Sequence, residues 1–215
     1  MNIKAIIVSI VIFTIACQSA VCAQDPGVII LPEPKLNGGK LLMQALKGRE
    51  SSRAFSATEL PAEVLSGLLW AADGVNRPES GKRTAPSAMN CREITIYVAL
   101  KQGLYLYDAE NNVLQPVLQA DVREHTGQQE FTQTAPVNLI YVADFSRMRG
   151  DVDGKVFYSA VDTGFISQNV YLFCASEGLA TVVLGWVDKP ALEKIMKLKD
   201  DQKVILTQPV GYPAD

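Results

Sequence analysis

Histidine is nearly missing from this sequence: His125 is the single one in 215 residues. Cysteine is scarce as well, four in all, and no two are spaced as CxxC. The usual His/Cys zinc sites are therefore excluded. A Ser-His-Asp triad has no support either. The one histidine stands in the polar stretch Arg123-Glu124-His125-Thr126-Gly127, read as surface, and no GxSxG occurs. No GxGxxG follows a strand pattern and no GxxxxGK(S/T) is present, which removes a Rossmann dinucleotide site and a P-loop. There is no excess of positive charge: 20 Lys and Arg stand against 23 Asp and Glu, a net charge of −3. Such a chain gains nothing at a phosphate backbone, so nucleic-acid binding is excluded as a function class. Internal repeats and low-complexity tracts are also absent, and the length suits one domain with a real core.

Long apolar runs are missing except at the start. Lys4 is followed by the nearly continuous apolar run 5–16, then by polar Gln18-Ser19 and the short residues Val21-Cys22-Ala23. These are the three regions of a secretory signal peptide, with cleavage expected after Ala23. A membrane-spanning helix needs about 20 apolar residues, so no stable span is expected. The alternative is a lipid anchor, since Thr14-Ile15-Ala16-Cys17 partly resembles a lipobox with Cys17 as the modified residue. Removal of residues 1–23 takes away Lys4 and no acid, leaving 19 basic and 23 acidic residues. The expected location is exported, periplasmic or otherwise extracytoplasmic. Cys91 and Cys174 then remain, read as two buried thiols although export permits a disulfide.

Residues 24–39 hold three prolines and Asn37-Gly38-Gly39, an extended leader into a domain spanning 40–213. Leu41, Leu42, Ala45 and Leu46 recur at helical spacing up to Gly48. Val64, Leu65, Leu68, Leu69 and Ala72 stripe a second helix, with Thr58 or Ser56 as its cap and Gly74 as its stop. Residues 75–93 are polar and aperiodic, a loop long enough to suggest function. Alternating residues over 94–98, then 104–107 and 113–114, predict an antiparallel meander. Val137 to Ala143 predicts a strand buried on both faces. A helix over about 155–177 is apolar nearly all round, as befits the centre of a protein. One stripe of it is small, Ala160, Gly164 and Ser167, and fits either a tight crossing within the chain or a helix pair between two copies. Pro190 starts a small helix that turns Leu192, Ile195 and Met196 inward, and a last strand begins near Val204.

Two segments carry candidate chemistry. In Arg49-Glu50-Ser51-Ser52-Arg53, an extended backbone would point Arg49, Ser51 and Arg53 to one side. Two guanidinium forks and a hydroxyl suit a phosphate. Three charge-assisted bonds at about 1.5–3 kcal/mol each would give on the order of 5–9 kcal/mol before ordering costs. A solvated basic turn is the alternative on spacing alone. In the stretch from Arg83 to Asn90, Pro86 fixes the backbone, Ser87 and Ala88 are small enough for a flat ligand to approach, and the Asn90 amide suits the edge of a heteroaromatic ring.

With these residues in place the chain resembles the nitroreductase family, and within it the branch of azoline-oxidising dehydrogenases. The likeness rests on Arg49-x-Ser51-x-Arg53-x-Phe55, Arg83-Thr84-Ala85-Pro86-Ser87-Ala88 with Asn90, the helix from Asp162 to Leu179, Leu184-Gly185, and Gly211-Tyr212-Pro213. The resemblance implies an α+β fold: a central, mostly antiparallel sheet flanked by helices, a long buried central helix, and a homodimer with two sites at its interface. It implies flavin mononucleotide (FMN) as cofactor. Arg49, Ser51 and Arg53 would hold its phosphate, Leu184 and Gly185 would face its ring near N5, and Pro86, Ser87 and Ala88 would reach the flavin of the partner. It leaves no residue in the role of a general acid.

The chain departs from many relatives in having no Lys or Arg after Gly211-Tyr212-Pro213. Export also removes it from cytosolic nicotinamide cofactors. The function expected is an exported FMN-dependent oxidoreductase passing a hydride or electrons between flavin and a small organic acceptor. A non-catalytic secreted dimer that binds a flavin or another ligand is the alternative, and azoline oxidation on a peptide is a third reading.

Overall fold

The structure, a computed structural model, describes residues 27–214. The signal segment, Cys17 and Cys22 lie outside the described residues. In chain order the elements are β1 (Ile29–Ile30), α1 (Leu42–Gly48), α2 (Ala62–Asp73), β2 (Val75–Arg77), β3 (Lys82–Arg83), β4 (Ile94–Leu100), β5 (Gly103–Asp108) and β6 (Val113–Leu118). Then follow α3 (Phe131–Thr134), β7 (Val137–Asp144), α4 (Val152–Glu177), β8 (Ala180–Thr181), α5 (Lys189–Ile195) and β9 (Gln202–Gly211).

Seven strands form one sheet in the order β1-β6-β5-β4-β7-β9-β8, antiparallel at every pairing. The predicted meander is β4-β5-β6. Its first turn is two residues, Lys101-Gln102, closed by the pair Leu100 and Gly103. A Cβ at Gly103 would lie 2.8 Å from the Leu118 carbonyl oxygen, so this approach of strands requires glycine. Pro116 interrupts β6 beyond the two residues that β1 covers, where no ladder hydrogen bond is lost on that side.

β7 lies in the middle of the sheet and is buried along nearly its whole length, as its apolar run predicts. The core has two sides. On one, Ile96, Val98, Leu139 and Tyr141 meet Leu65, Leu68, Leu69 and Ala72 of α2 and Ile166 and Val170 of α4. On the other, Tyr97, Ala99, Ile140 and Val142 meet Leu192 and Met196 of α5. The alternation along each strand sends neighbouring residues to these opposite sides. Burying Leu68 and Leu69 completely contributes about 1.5–3 kcal/mol each.

α4 begins at Asp151, whose carboxylate accepts the Gly154 N–H at 2.8 Å, and ends at Gly178 in the left-handed region, φ 72°. It packs on α1, α2 and the sheet through one side only. Val152, Val156, Phe157, Val161 and Phe165 stay exposed, Phe157 at 62%. The all-round apolar character is thus divided between the core and a face that this chain leaves open. Of the small stripe, Ser167 is buried, while Ala160 and Gly164 lie on the open face.

Several local expectations change. The leader is extended but joins the fold: β1 pairs with β6, Leu31 is buried, and the Pro32 carbonyl accepts from Ser66 Oγ and Asn112 Nδ2. Neither Thr58 nor Ser56 caps α2; their hydroxyls bond each other at 2.9 Å, and Pro61 occupies the cap. The 75–93 stretch is a short β2-β3 hairpin followed by a single 3-10 turn at Ala88–Asn90. Cys91 is half-buried rather than buried, Cys174 is buried, and both are free thiols. Among the described residues no helix is long and apolar enough to cross a membrane, and no cluster of His, Cys, Asp or Glu could hold a metal.

Candidate active site

The segment 49–56 runs from the end of α1 along the end of the sheet. The Ser52 N–H donates to the Thr181 carbonyl at 3.0 Å, and the Ser56 N–H to that of Tyr212 at 2.9 Å. Phe55 is buried and bridges to Pro213. This anchoring leaves Arg49, Ser51 and Arg53 on the outer side. Arg49 and Ser51 are brought together by a residue that sequence reasoning missed, Tyr171 of α4. The Arg49 guanidinium lies 5.3 Å from the Tyr171 ring centre, and Ser51 Oγ lies 2.8 Å from Tyr171 Oη. Tyr171 Oη already accepts the Val183 N–H at 3.0 Å. Either hydroxyl can be the donor in the Ser51–Tyr171 bond. Arg53 is exposed. Neither guanidinium makes a hydrogen bond or an ion pair with any described residue, so both charges are uncommitted. A cavity of about 200 Å³ lies along this segment, lined in part by Gly48, Glu50, Ser52, Tyr171 and Thr181, while Arg49, Ser51 and Arg53 are not among its lining residues.

Leu184 and Thr207 exchange both backbone hydrogen bonds, at 2.8 and 3.1 Å, which fixes the turn into Gly185. The exposed Gly185 N–H has no acceptor among the described residues. A Cβ there would meet only Leu206 Cδ2, at an ordinary 3.7 Å. Packing among the described residues thus gives no reason for glycine here. Trp186, next along, is exposed.

The second segment forms a wall on a different part of the surface. Pro86, Ser87, Asn90, Arg92, Asp162 and Ile166 border a cavity of about 230 Å³. The turn is stapled internally: the Asn90 N–H donates to the Ser87 carbonyl at 3.0 Å, and Ser87 Oγ accepts the Arg92 N–H at 3.0 Å. It is tied to α4 by the Ala88 N–H, which donates to Asp162 Oδ2 at 2.7 Å. Met89, Asn90 and Arg92 take φ of 51°, 54° and 49°, the left-handed region, without a glycine among them. For Met89 and Arg92 this costs of the order of 1 kcal/mol each, held by the staples. Asn90 Oδ1 accepts from Arg92 Nε at 3.4 Å, and its amide NH2 has no partner among the described residues. Arg83 belongs behind this wall: its Nη1 donates to the Asp73 carbonyl at 3.0 Å and lies 3.5 Å from the Asp73 carboxylate.

Burial of Asp73, the last residue of α2, outweighs the nearby Arg83 and Arg92 and pushes its carboxyl up to about 7. His125 is exposed beside Glu124, as its polar stretch predicts.

Within one chain the structure joins Arg49 to Ser51 and groups Pro86, Ser87, Ala88 and Asn90. Among the described residues, Arg53, Leu184 and Gly185 make no hydrogen bond to either group. Glu93, Asp162 and Tyr171 escaped the sequence reading. Each is a single polar residue at the flank of a strand or inside an apolar helix, and its partners lie far off in the chain.

The architecture is that of an α+β nitroreductase-like fold, the class of an oxidoreductase. The chain belongs to the Nitroreductase family, whose family model matches residues 46–212. It is 32% identical over 181 residues to a nitroreductase-type protein of Methanocaldococcus jannaschii, covering 79% of this chain and 90% of that one. A nitroreductase-type crystal structure from Ralstonia eutropha JMP134 superposes with a TM-score of 0.84 at 42% identity, over 90% of this chain and 92% of the other. The Escherichia coli microcin synthetase McbBCD complex shares the fold, with a TM-score of 0.67 at 18% identity over 95% of this chain and 85% of the other.

Proposed function

We propose that this protein is an exported, homodimeric oxidoreductase that uses FMN to pass a hydride or electrons to a small organic acceptor. The observation that carries the reading is the pair of uncommitted guanidiniums at Arg49 and Arg53, beside the Ser51 hydroxyl, which lies 2.8 Å from Tyr171 Oη. A phosphate fits this set, because both guanidiniums donate and the serine hydroxyl can donate as well. The Gly185 N–H without an acceptor and the spare amide of Asn90 fit the polar edge of a flat ring. When bound, the flavin supplies the two-electron chemistry. The chain's own residues anchor, orient and shield. Arg49, Ser51 and Arg53 hold the anion, Leu184 fixes the Gly185 amide, and Pro86, Ser87 and Ala88 form a covering wall.

Homodimerisation is supported by the open face of α4. Gly164 lies there with nothing within 4 Å of a Cβ placed on it. A glycine inside a helix costs about 1 kcal/mol relative to alanine, and nothing in this chain explains that cost; a partner helix in close approach does. Phe157→Asp is expected to raise the dimer dissociation constant about 100-fold. Sedimentation velocity across a dilution series checks this, and an unchanged mass distribution in the variant sinks the α4 interface.

Export follows from the signal-like residues 1–23 and implies an electron donor other than a cytosolic nicotinamide. The branch of azoline-oxidising dehydrogenases remains the nearest reading of the Arg83 to Ala88 stretch. The test of the cofactor is direct. Protein recovered from the exported fraction should show flavin absorbance, or gain it on reconstitution with FMN. Colourless protein that takes up no flavin ends the proposal.

A further inference from the structure

Glu93, the residue immediately before β4, is fully buried, and neither oxygen of its carboxylate is paired with a donor. Its main chain is held in place. The Glu93 carbonyl accepts the Asp144 N–H at 2.9 Å, and the preceding Arg92 carbonyl accepts from Arg147 Nη1 at 2.9 Å. The side chain therefore has no simple route to water. Within its hydrogen-bonding reach on α4 stands Asp162, also buried, whose Oδ2 is the acceptor for the Ala88 N–H.

The charged groups that face the pair do not neutralise it. From the turn after β7 comes Arg147, half-exposed and already paired with Asp144 at 3.3 Å. From the end of α2 comes Asp73, of the same sign as Glu93, with Arg83 and Arg92 turned toward it. Two carboxylates in contact and out of water cannot both stay ionised.

We propose that Glu93 and Asp162 share one proton, carried on Glu93, and that the pair fastens the Pro86–Ala88 wall. Glu93 is then a positioning residue for that wall, a role that rests on the flavin reading above only for its consequence. The Glu93 O–H donates to one oxygen of Asp162. Asp162 in turn accepts the Ala88 N–H through Oδ2 at 2.7 Å. Burial and the neighbouring Asp162 push the Glu93 carboxyl up to about 7 from an ordinary 4.5. A raised acid binds its proton more tightly in the folded arrangement. The fastening is thus complete below about 4.5, weakens as pH rises, and is lost above about 7. There the ionised Glu93 can no longer donate to Asp162, and the hold on Ala88 fails.

The test uses the purified full chain and the variant Glu93→Gln, whose amide still donates to Asp162 but has no proton to lose. In the wild type, the hydrogen-exchange protection factor of the Ala88 amide should fall at least about tenfold between about pH 6 and about pH 9. In the variant it should change less than about twofold over the same range. Infrared difference spectra at the acid end should show a protonated-carboxyl band in the wild type that the variant lacks. Wild-type Ala88 protection that does not depend on pH, or no band lost in the variant, overturns the proposal. Should the variant fail to fold, Asp73→Asn, which removes the other raised carboxyl, decides: its protonated-carboxyl band should be lost with rising pH in step with Ala88 protection, and the absence of that loss counts against the pair. A chain that takes up no flavin yet gives both signals upholds the shared proton while ending the flavin reading.

Discussion

Replacing Arg49 and Arg53 together by alanine should weaken FMN binding by about 100-fold to 10,000-fold, with the unfolding temperature lowered by no more than about 4 °C. The first figure follows from two charge-assisted bonds to phosphate at about 1.5–3 kcal/mol each. The second follows from how little either side chain does for the fold. Arg53 is exposed and without an internal partner. Arg49 has only the Tyr171 ring, 5.3 Å from its guanidinium carbon, a contact contributing about 0.5–1 kcal/mol. Fluorescence quenching of free flavin gives the dissociation constant, and calorimetry gives the stability. Arg53→Lys separates charge from shape: lysine keeps the charge and loses the fork, so it should recover only part of the affinity. If the double variant binds flavin as tightly as the wild type, the clamp is assigned to the wrong residues.

The stability of the protein should fall as pH rises from about 4 to about 7, and Asp73→Asn should abolish a large part of that fall. The sign follows from the direction of the shift. Asp73 ionises at 3.8 in the unfolded chain and at about 7 in the folded one. Between those values the folded state holds a proton that the unfolded state has released, so each step up in pH favours unfolding. The contribution is complete below about 4 and gone above about 7. A shift of about three units sets a ceiling of about 4 kcal/mol for this one group. Asp108 and Asp121 work in the opposite sense. Hydrogen bonds from Asn111 and from Arg123 hold their carboxyls below the ordinary value, so they lose stabilisation in acid. The optimum should therefore lie on the acid side of neutrality. Thermal unfolding across pH checks this, and a flat or rising profile through that range, identical in Asp73→Asn, refutes it. Arg83 survives the substitution with its bond to the Asp73 carbonyl intact.

The sequence made the large elements plain because their apolar residues repeat at one period over many positions. The α2 stripe and the unbroken run of β7 are of this kind. β1 was not legible: two residues in a proline-rich leader carry no period, and only pairing with Val113 and Leu114 makes them a strand. The α4 pattern showed that all sides are apolar but not which side the chain covers itself, since hydrophobicity does not say whose surface it meets. At the candidate site, Arg49 and Ser51 were legible because they are neighbours in the chain. Tyr171 was not, since it lies 120 positions from Ser51. Glu93 was hidden for another reason. One acid before a strand reads as an exposed turn residue, and only its complete burial, with neither oxygen paired to a donor, marks it out.

The sheet's two margins have a consequence for a chain that must stay dispersed after folding. Each outer strand, Ile29–Ile30 and Ala180–Thr181, is two residues long. Past Leu114 the strand behind β1 has no neighbour on that side, and there Pro116 removes the amide that an incoming strand would need. An all-antiparallel sheet of seven strands would otherwise offer a long template for another molecule to extend. Here the outermost strands each offer only two residues to such an extension.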